Sequence, residues 1–478
     1  ALLGALASAD DHLDTFVNTD VFELEVAMDP QISPEGSKIA YVRAANDIMT
    51  DSTRNNIWLV NSDGGDHRPL LSGTASYSNP RWSHDGNRLA YLSSAEGRGP
   101  QLYVRWMDTG QSALLSNLQN APRGISWSPD DSQIAFSALV ATEQDQLATA
   151  PTMPEGAVWA PGVKVISDLN YRADGRGYLE SGHSQIFLLP ADGGTPRQIT
   201  QGEFNHGGKL DWTPDGNAII FSANRNEDWR ERERNSDLWS VNYRTGEMRQ
   251  LTDRNGPDYA PSLSPDGSRL AYLGYEDRLM GYHNSQVSIL DLNSGKITQL
   301  TEGLDRSIDS VEWAGSSSQL LISFDDFGKR KLASVDMEGD LRPLVSDVGS
   351  AGISRPYTSG NFTVSDNGAY AYTAGGPDRP ADVAVGHDDS AIRLTDLNAD
   401  LLDHKTLGEV REISWRSSVG DHDIYGWLVT PPGFDEAQEY PLLLEIHGGP
   451  FTAYGPHFST EVQLYAAAGY VVFYTNPR

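Results

Sequence analysis

The sequence predicts a mainly β fold: a ring of seven four-stranded blades, followed by the first strands and helix of a doubly wound α/β sheet. Three observations carry this expectation. A Ser-Pro-Asp-Gly unit or a variant recurs as Ser33-Pro34-Glu35-Gly36, Ser83-His84-Asp85-Gly86, Ser128-Pro129-Asp130-Asp131, Thr213-Pro214-Asp215-Gly216, Ser264-Pro265-Asp266-Gly267, Ala314-Gly315-Ser316-Ser317 and Ser365-Asp366-Asn367-Gly368. Measured at the third residue, the copies are 50, 45, 85, 51, 50 and 51 residues apart. Each is followed by alternating apolar residues, as in Leu89-Ala90-Tyr91-Leu92 and Leu270-Ala271-Tyr272-Leu273, and Asp-Gly beside such runs signals a hairpin. Third, the repeat stops near residue 405, and strand, helix and strand follow at α/β spacing.

Within a repeat, the hairpin is followed by a third strand, such as Ile57-Trp58-Leu59-Val60 or Gln185-Ile186-Phe187-Leu188-Leu189. A glycine-containing turn leads to a fourth, such as Arg197-Gln198-Ile199-Thr200 or Arg249-Gln250-Leu251-Thr252. Four short strands repeated seven times make a seven-bladed β-propeller, in which no blade buries both faces alone. The domains expected are an N-terminal extension over 1–15, the propeller over 16–405 and an α/β portion over 406–478. The one long spacing marks an insertion in blade three over residues 139–183, placed at a rim. A mixed-charge run over 226–234 reads as a solvated strand connection, and 399–408 as a polar linker. Beyond it, 410–415 and 423–430 read as strands, 442–446 as a buried strand, 459–469 as an amphipathic helix closed by Gly469, and 470–474 as a fully apolar strand.

Composition narrows the function classes. The 478 residues hold 36 Lys and Arg against 66 Asp and Glu, a net charge of −30. Nucleic-acid binding needs a basic face, so it is not expected. There is no cysteine, which excludes disulfides and thiolate metal sites. No apolar run approaches the ~18 residues that span a bilayer, so no membrane partner is expected. The opening stretch closes in Ala7-Ser8-Ala9 and reads as the end of a secretory signal, which predicts a periplasmic or secreted protein. No His-Glu-x-x-His, metal-spaced carboxylates or glycine-rich phosphate loop occurs, so no cofactor is expected.

The chemistry concentrates in Glu445-Ile446-His447-Gly448-Gly449-Pro450, where an apolar strand ends in two glycines. Backbone N–H groups exposed at such a strand end suit the oxyanion of acyl transfer. The run 440–450, with Tyr454-Gly455, the turn 466–470 and Thr475-Asn476-Pro477-Arg478, resembles the prolyl oligopeptidase family of serine peptidases, in its acylaminoacyl-peptidase and dipeptidyl-peptidase branch. Residues 171–178 and 20–24 with Asp29-Pro30 resemble that branch too.

The resemblance implies a propeller that filters short peptides for a C-terminal α/β-hydrolase domain, here present only in its first part. It assigns the N–H of Gly449, with Gly448 allowing close approach, to the oxyanion hole. His447 orders the turn rather than acting as the base, and Tyr454 either faces the substrate or packs. The implied order Ser, Asp, His departs from this chain, which has no Gly-x-Ser-x-Gly. The triad is therefore expected on a further C-terminal segment, foremost as a separate chain from a precursor nicked after Arg478, otherwise lost by truncation or omission. Substrates are expected to be short peptides, with homo-oligomerisation left open. A free substrate amine would need carboxylates, for which Glu143, Asp145, Glu155 and Glu180 are available without anything selecting among them. The alternative is a non-catalytic periplasmic propeller of TolB type that binds proteins. A lipase-like esterase, which also uses a His-Gly-Gly turn, is a third reading, but such enzymes rarely carry a propeller.

Overall fold

The computed structural model describes residues 14–477, apart from 96, 98, 143–147, 149, 150, 161–163 and 450. The signal-like start, Glu143, Asp145, Pro450 and Arg478 therefore lie outside the described residues. Contacts divide the chain into two compact units: Ala1–Ala95 with Leu300–Arg478, and Glu96–Gln299.

The recurrent turn is a local hydrogen-bonded clasp. Ser83 Oγ donates to Asp85 Oδ1 at 2.6 Å and accepts from Arg88 N at 2.9 Å, while Asp85 Oδ1 also accepts from Asn87 N. Thr213 with Asp215 and Ser264 with Asp266 repeat the same bond at 2.6 and 2.7 Å. The residue after the acid turns into the left-handed region, φ +69° at Gly86 and +64° at Gly216, which explains the glycine. Hydroxyl, carboxylate and glycine together make the turn at little cost, and the antiparallel strands on either side follow from it.

In the first unit, Glu25–Ile32, Lys38–Asp47, Ser52–Asn61 and Arg68–Leu71 form one antiparallel sheet in chain order. Strands between Ile308 and Arg393 form a larger sheet, in which two repeats are linked by the single pair Val348↔Ala374. The first sheet packs on the last repeat through Ala27, Ile39, Tyr41, Ala371 and Val383. Asn398 fastens them: its Oδ1 accepts from Glu25 N at 2.8 Å and its Nδ2 donates to Glu25 O at 2.9 Å. The expected linker is more structured than a polar run suggests. Ala399–Leu402 is a short helix whose Leu401 joins Phe16, Leu24 and Phe458 in an apolar cluster.

Residues 409–476 of this unit form a mixed sheet of Glu409–Arg416, Asp423–Thr430, Val471–Asn476 and Leu442–Glu445, in that spatial order. The last two strands are parallel, and the helix Thr460–Ala467 connects them. Ser459 caps the helix by accepting from Val462 N, and Gly469 follows it at φ +89°. Gln463 on its buried face clasps both the N–H and C=O of Gly408.

The expectation of a buried strand at 442–446 is corrected here. Leu442–Glu445 is an edge strand, paired on one side only among the described residues, with Leu442 61% and Leu444 56% exposed. Only Leu443 turns towards the core under Val462 and Val472. The 470–474 strand instead lies between two partners.

In the second unit, His206–Trp212, Ala218–Ala223, Asp237–Asn242 and Met248–Gln250 form one sheet, and Asp258–Leu263, Arg269–Gly274, Gln286–Asp291 and Ile297–Gln299 the next. A third joins Arg123–Trp127, Gln133–Ala141, Gly182–Pro190 and Arg197–Gln198. Its central ladder is unbroken to Ala141↔Gly182, so the insertion begins and ends inside the expected 139–183. A buried polar clasp recurs between third and fourth strands. Ser116 Oγ donates to Gln101 and accepts from Leu102 N. Thr200 Oγ1 does the same with Gln185 and Ile186 N. In the sheet that holds Asp237, Thr252 Oγ1 accepts from Leu238 N, but its hydroxyl serves Asp258 instead.

Candidate functional site

The strand Leu442–Glu445 delivers the chain to Ile446–Gly449, which has no regular structure. Two side chains fix the turn. His447 Nδ1 donates to Gly448 O at 2.8 Å, and Thr452 Oγ1 donates to the same carbonyl at 2.7 Å. A trans peptide is planar, with its C=O and N–H pointing in opposite directions. Anchoring the Gly448 carbonyl therefore aims the Gly449 N–H away from His447 and Thr452. Among the described residues neither glycine N–H donates a hydrogen bond. Gly449 sits at φ +149°, and a Cβ there would meet Phe451 N at 2.9 Å and Thr452 Oγ1 at 3.1 Å. A Cβ on Gly448 would meet nothing within 4 Å. The steric requirement for glycine thus falls on Gly449.

His447 leans edge-on against Tyr454, with centroids 5.1 Å apart. This arrangement, with the Gly448 bond, makes it part of the turn's scaffold. Tyr454 is 0% exposed and offers no surface to a ligand, so the substrate-facing alternative gives way to packing. It lies against Tyr357 at 4.7 Å and Tyr474 at 5.6 Å. Asn476 receives its N–H at 2.8 Å and donates to its C=O at 2.9 Å. Its hydroxyl donates to Glu445 Oε1 at 3.0 Å, and burial, then that bond, push its pKa above the ordinary tyrosine range. Arg355 completes the group, 3.2 Å from Glu445 and 3.1 Å from Glu461. Glu445 thus holds strand end, turn and helix start in one network. Tyr454→Phe is expected to lower stability by about 1–3 kcal/mol by removing a buried bond to a charged acceptor, read as a fall in Tm with the native circular dichroism spectrum retained.

Thr452 and Arg355 have no part in the sequence reading, and Glu445 and Asn476 enter it only as members of their motifs. Arg355 lies about 90 residues before Glu445 in the chain, and no local pattern joins them. Beside the turn, a concavity of about 310 Å³ is lined by residues that include Asp325, Phe327, His422, Tyr425, Ala453 and Asn476. His457 is buried, and burial lowers its pKa to about 4, so its imidazole is neutral at physiological pH. Among the described residues no cluster of three or more His, Asp or Glu is placed to hold a metal ion.

Residues 163–303 match the family model for the acylaminoacyl-peptidase N-terminal β-propeller domain. Over that stretch the chain is similar to the acylaminoacyl peptidases. An uncharacterized peptidase of Bacillus subtilis, YuxL, is 28% identical over 96% of this chain and 70% of that relative. Dipeptidyl-peptidase 5 of Porphyromonas gingivalis is 25% identical over 93% of this chain and 65% of its own length. The solved structure of Pyrococcus horikoshii acylaminoacyl peptidase shares the fold, with a TM-score of 0.76 at 20% identity over 96% of this chain and 66% of that one. The chain thus spans about two thirds of the acylaminoacyl and dipeptidyl peptidases it matches.

Proposed function

We propose that this chain is the propeller-bearing part of a serine exopeptidase that hydrolyses short peptides from their N-terminus, as an acylaminoacyl peptidase or a dipeptidyl aminopeptidase. The repeats form a seven-bladed propeller that limits substrates by size, and 406–478 begin an α/β-hydrolase domain. The observation that carries the reading is the anchored Gly448 carbonyl, which presents the Gly449 N–H as one donor of an oxyanion hole. Similarity to peptidases along the whole chain supports it. The nucleophile, acid and base lie outside residues 1–478, on a C-terminal partner segment that also covers the bare edge Leu442–Glu445. The protein works in the periplasm or outside the cell.

Denaturing mass analysis of the purified protein is expected to reveal a second fragment of about 20–30 kDa, the size of the outstanding domain portion, containing Gly-x-Ser-x-Gly. With that segment present, dipeptidyl anilides with a free amine and acetylated aminoacyl anilides distinguish the two exopeptidase types. Gly449→Ala, which strains the turn, is expected to lower kcat about 10²–10³-fold with KM little changed. An unaltered kcat would remove Gly449 from the chemistry. Hydrolysis by residues 1–478 alone would refute the placement of the triad.

A further inference from the structure

The insertion between Gln133–Ala141 and Gly182–Pro190 builds a concavity of about 1230 Å³ within the second unit. Its hairpin pairs Arg172–Ala173 with Gly177–Tyr178, and glycines at φ +74° and +71° make the turn. The hairpin presents Tyr171 and Tyr178, 44% and 54% exposed, with ring centroids 6.2 Å apart. Lys164 Nζ lies 3.9 Å from the Tyr178 ring. Large apolar side chains exposed side by side around a cavity are a binding signature rather than scattered surface residues.

The electrostatics of the cavity invert those of the chain. Arg123, Lys164, Arg172 and Arg176 line it without a carboxylate partner among the described residues. Arg230 is held only loosely, 3.7 Å from both Asp168 and Glu203. The carboxylates in the lining are Asp168, Glu180 and Glu233, fewer than the cations, in a protein of net charge −30. At physiological salt the Debye length is about 8 Å, so an anion inside the cavity feels these cations more than the distant acidic surface.

We propose that this cavity binds short acidic peptides, taking a carboxylate on Arg172 and Arg176 and apolar side chains against Tyr171 and Tyr178. The inference deepens the peptidase reading, because it assigns that enzyme a preference among its substrates, but binding can be measured apart from hydrolysis. The carboxylate can come from an acidic side chain or from the peptide C-terminus.

The test uses fluorescence anisotropy with three coumarin-labelled hexapeptides: one with two Glu and an amidated C-terminus, its Gln counterpart, and the Gln peptide with a free C-terminal carboxylate. The Glu peptide is expected to bind about tenfold tighter than the amidated Gln peptide, with the difference shrinking as salt is raised. Tighter binding of the free-carboxylate Gln peptide alone would identify the terminus as the source. The exposed pair Arg172→Ser and Arg176→Ser, made together, should abolish the preference while leaving the fold intact. Equal affinity for all three peptides, or a preference that survives that double variant, overturns the proposal. Carboxylate preference without hydrolysis of any anilide, in protein that holds its C-terminal segment, would refute the peptidase reading alone.

Discussion

Gly455→Ala is expected to lower Tm by roughly 3–5 °C or more, through a loss of about 3 kcal/mol or more. A Cβ at Gly455 would stand 1.7 Å from Gly328 O and 3.0 Å from His457 Cδ2. The opposing residue cannot retreat. Gly328, at φ +75°, is itself packed so closely that a Cβ there would meet the Trp427 ring at 2.4 Å, and Trp427 is fully buried. Gly455 N also donates to Pro356 O at 2.9 Å, so the backbone is held from a second direction. The contact is between main chains, which cannot swing aside as a flexible side chain does. Gly448→Ala, whose Cβ meets open space, serves as the control and is expected to stay within about 0.5 kcal/mol of the parent. Thermal unfolding of the two variants side by side decides the matter: equal Tm values would mean that the 328–455 contact does not hold the fold.

Asp237→Asn is expected to stabilise the protein at pH 8 by about 2 kcal/mol and to leave it almost unchanged near pH 4. Asp237 is nearly fully buried, and its Oδ1 has no hydrogen-bond partner. Burial first, and then the charges of Asp258 and Asp253, push its pKa up to about 7. Because the folded value lies above the unfolded one, the stability linked to this group is fully present below about pH 4 and is lost as pH rises towards 7. Asparagine keeps the shape and removes the charge, so the variant should lack that decline. Gln101 and Gln185, neutral side chains at the same point of other repeats, already accept the hydroxyl that Asp237 goes without. Denaturant titrations at pH 4, 6 and 8 measure the difference, and parallel pH profiles for parent and variant would contradict it.

How much was legible in the sequence follows from how local each interaction is. The repeats could be read because Ser, Asp and Gly make their clasp within five residues. The helix at 460 could be read from Ser459 and Gly469 at its ends. The run Leu442-Leu443-Leu444 could not be resolved in the same way, since an apolar strand looks alike at the edge of a sheet and in its middle. Which it is depends on whether a second strand lies alongside, and residues far off in the chain decide that. Tyr454 was ambiguous for a similar reason: its surroundings, Tyr357, Glu445 and Tyr474, come from three segments. The glycine pair at 448–449 was legible as a turn, but only backbone geometry separates the glycine that is required from the one that is not. The cationic cavity was hidden by averaging, because a net charge of −30 conceals a few arginines gathered at one place.

The bonds between Glu25 and Asn398 join residues 373 positions apart. A ribosome adding about 5–20 residues per second needs roughly 20–75 s to cover that distance. For that interval the first sheet exists without the strands that cover Ala27, Ile39 and Tyr41. The opening strands therefore wait as an uncovered apolar surface throughout synthesis of the repeats.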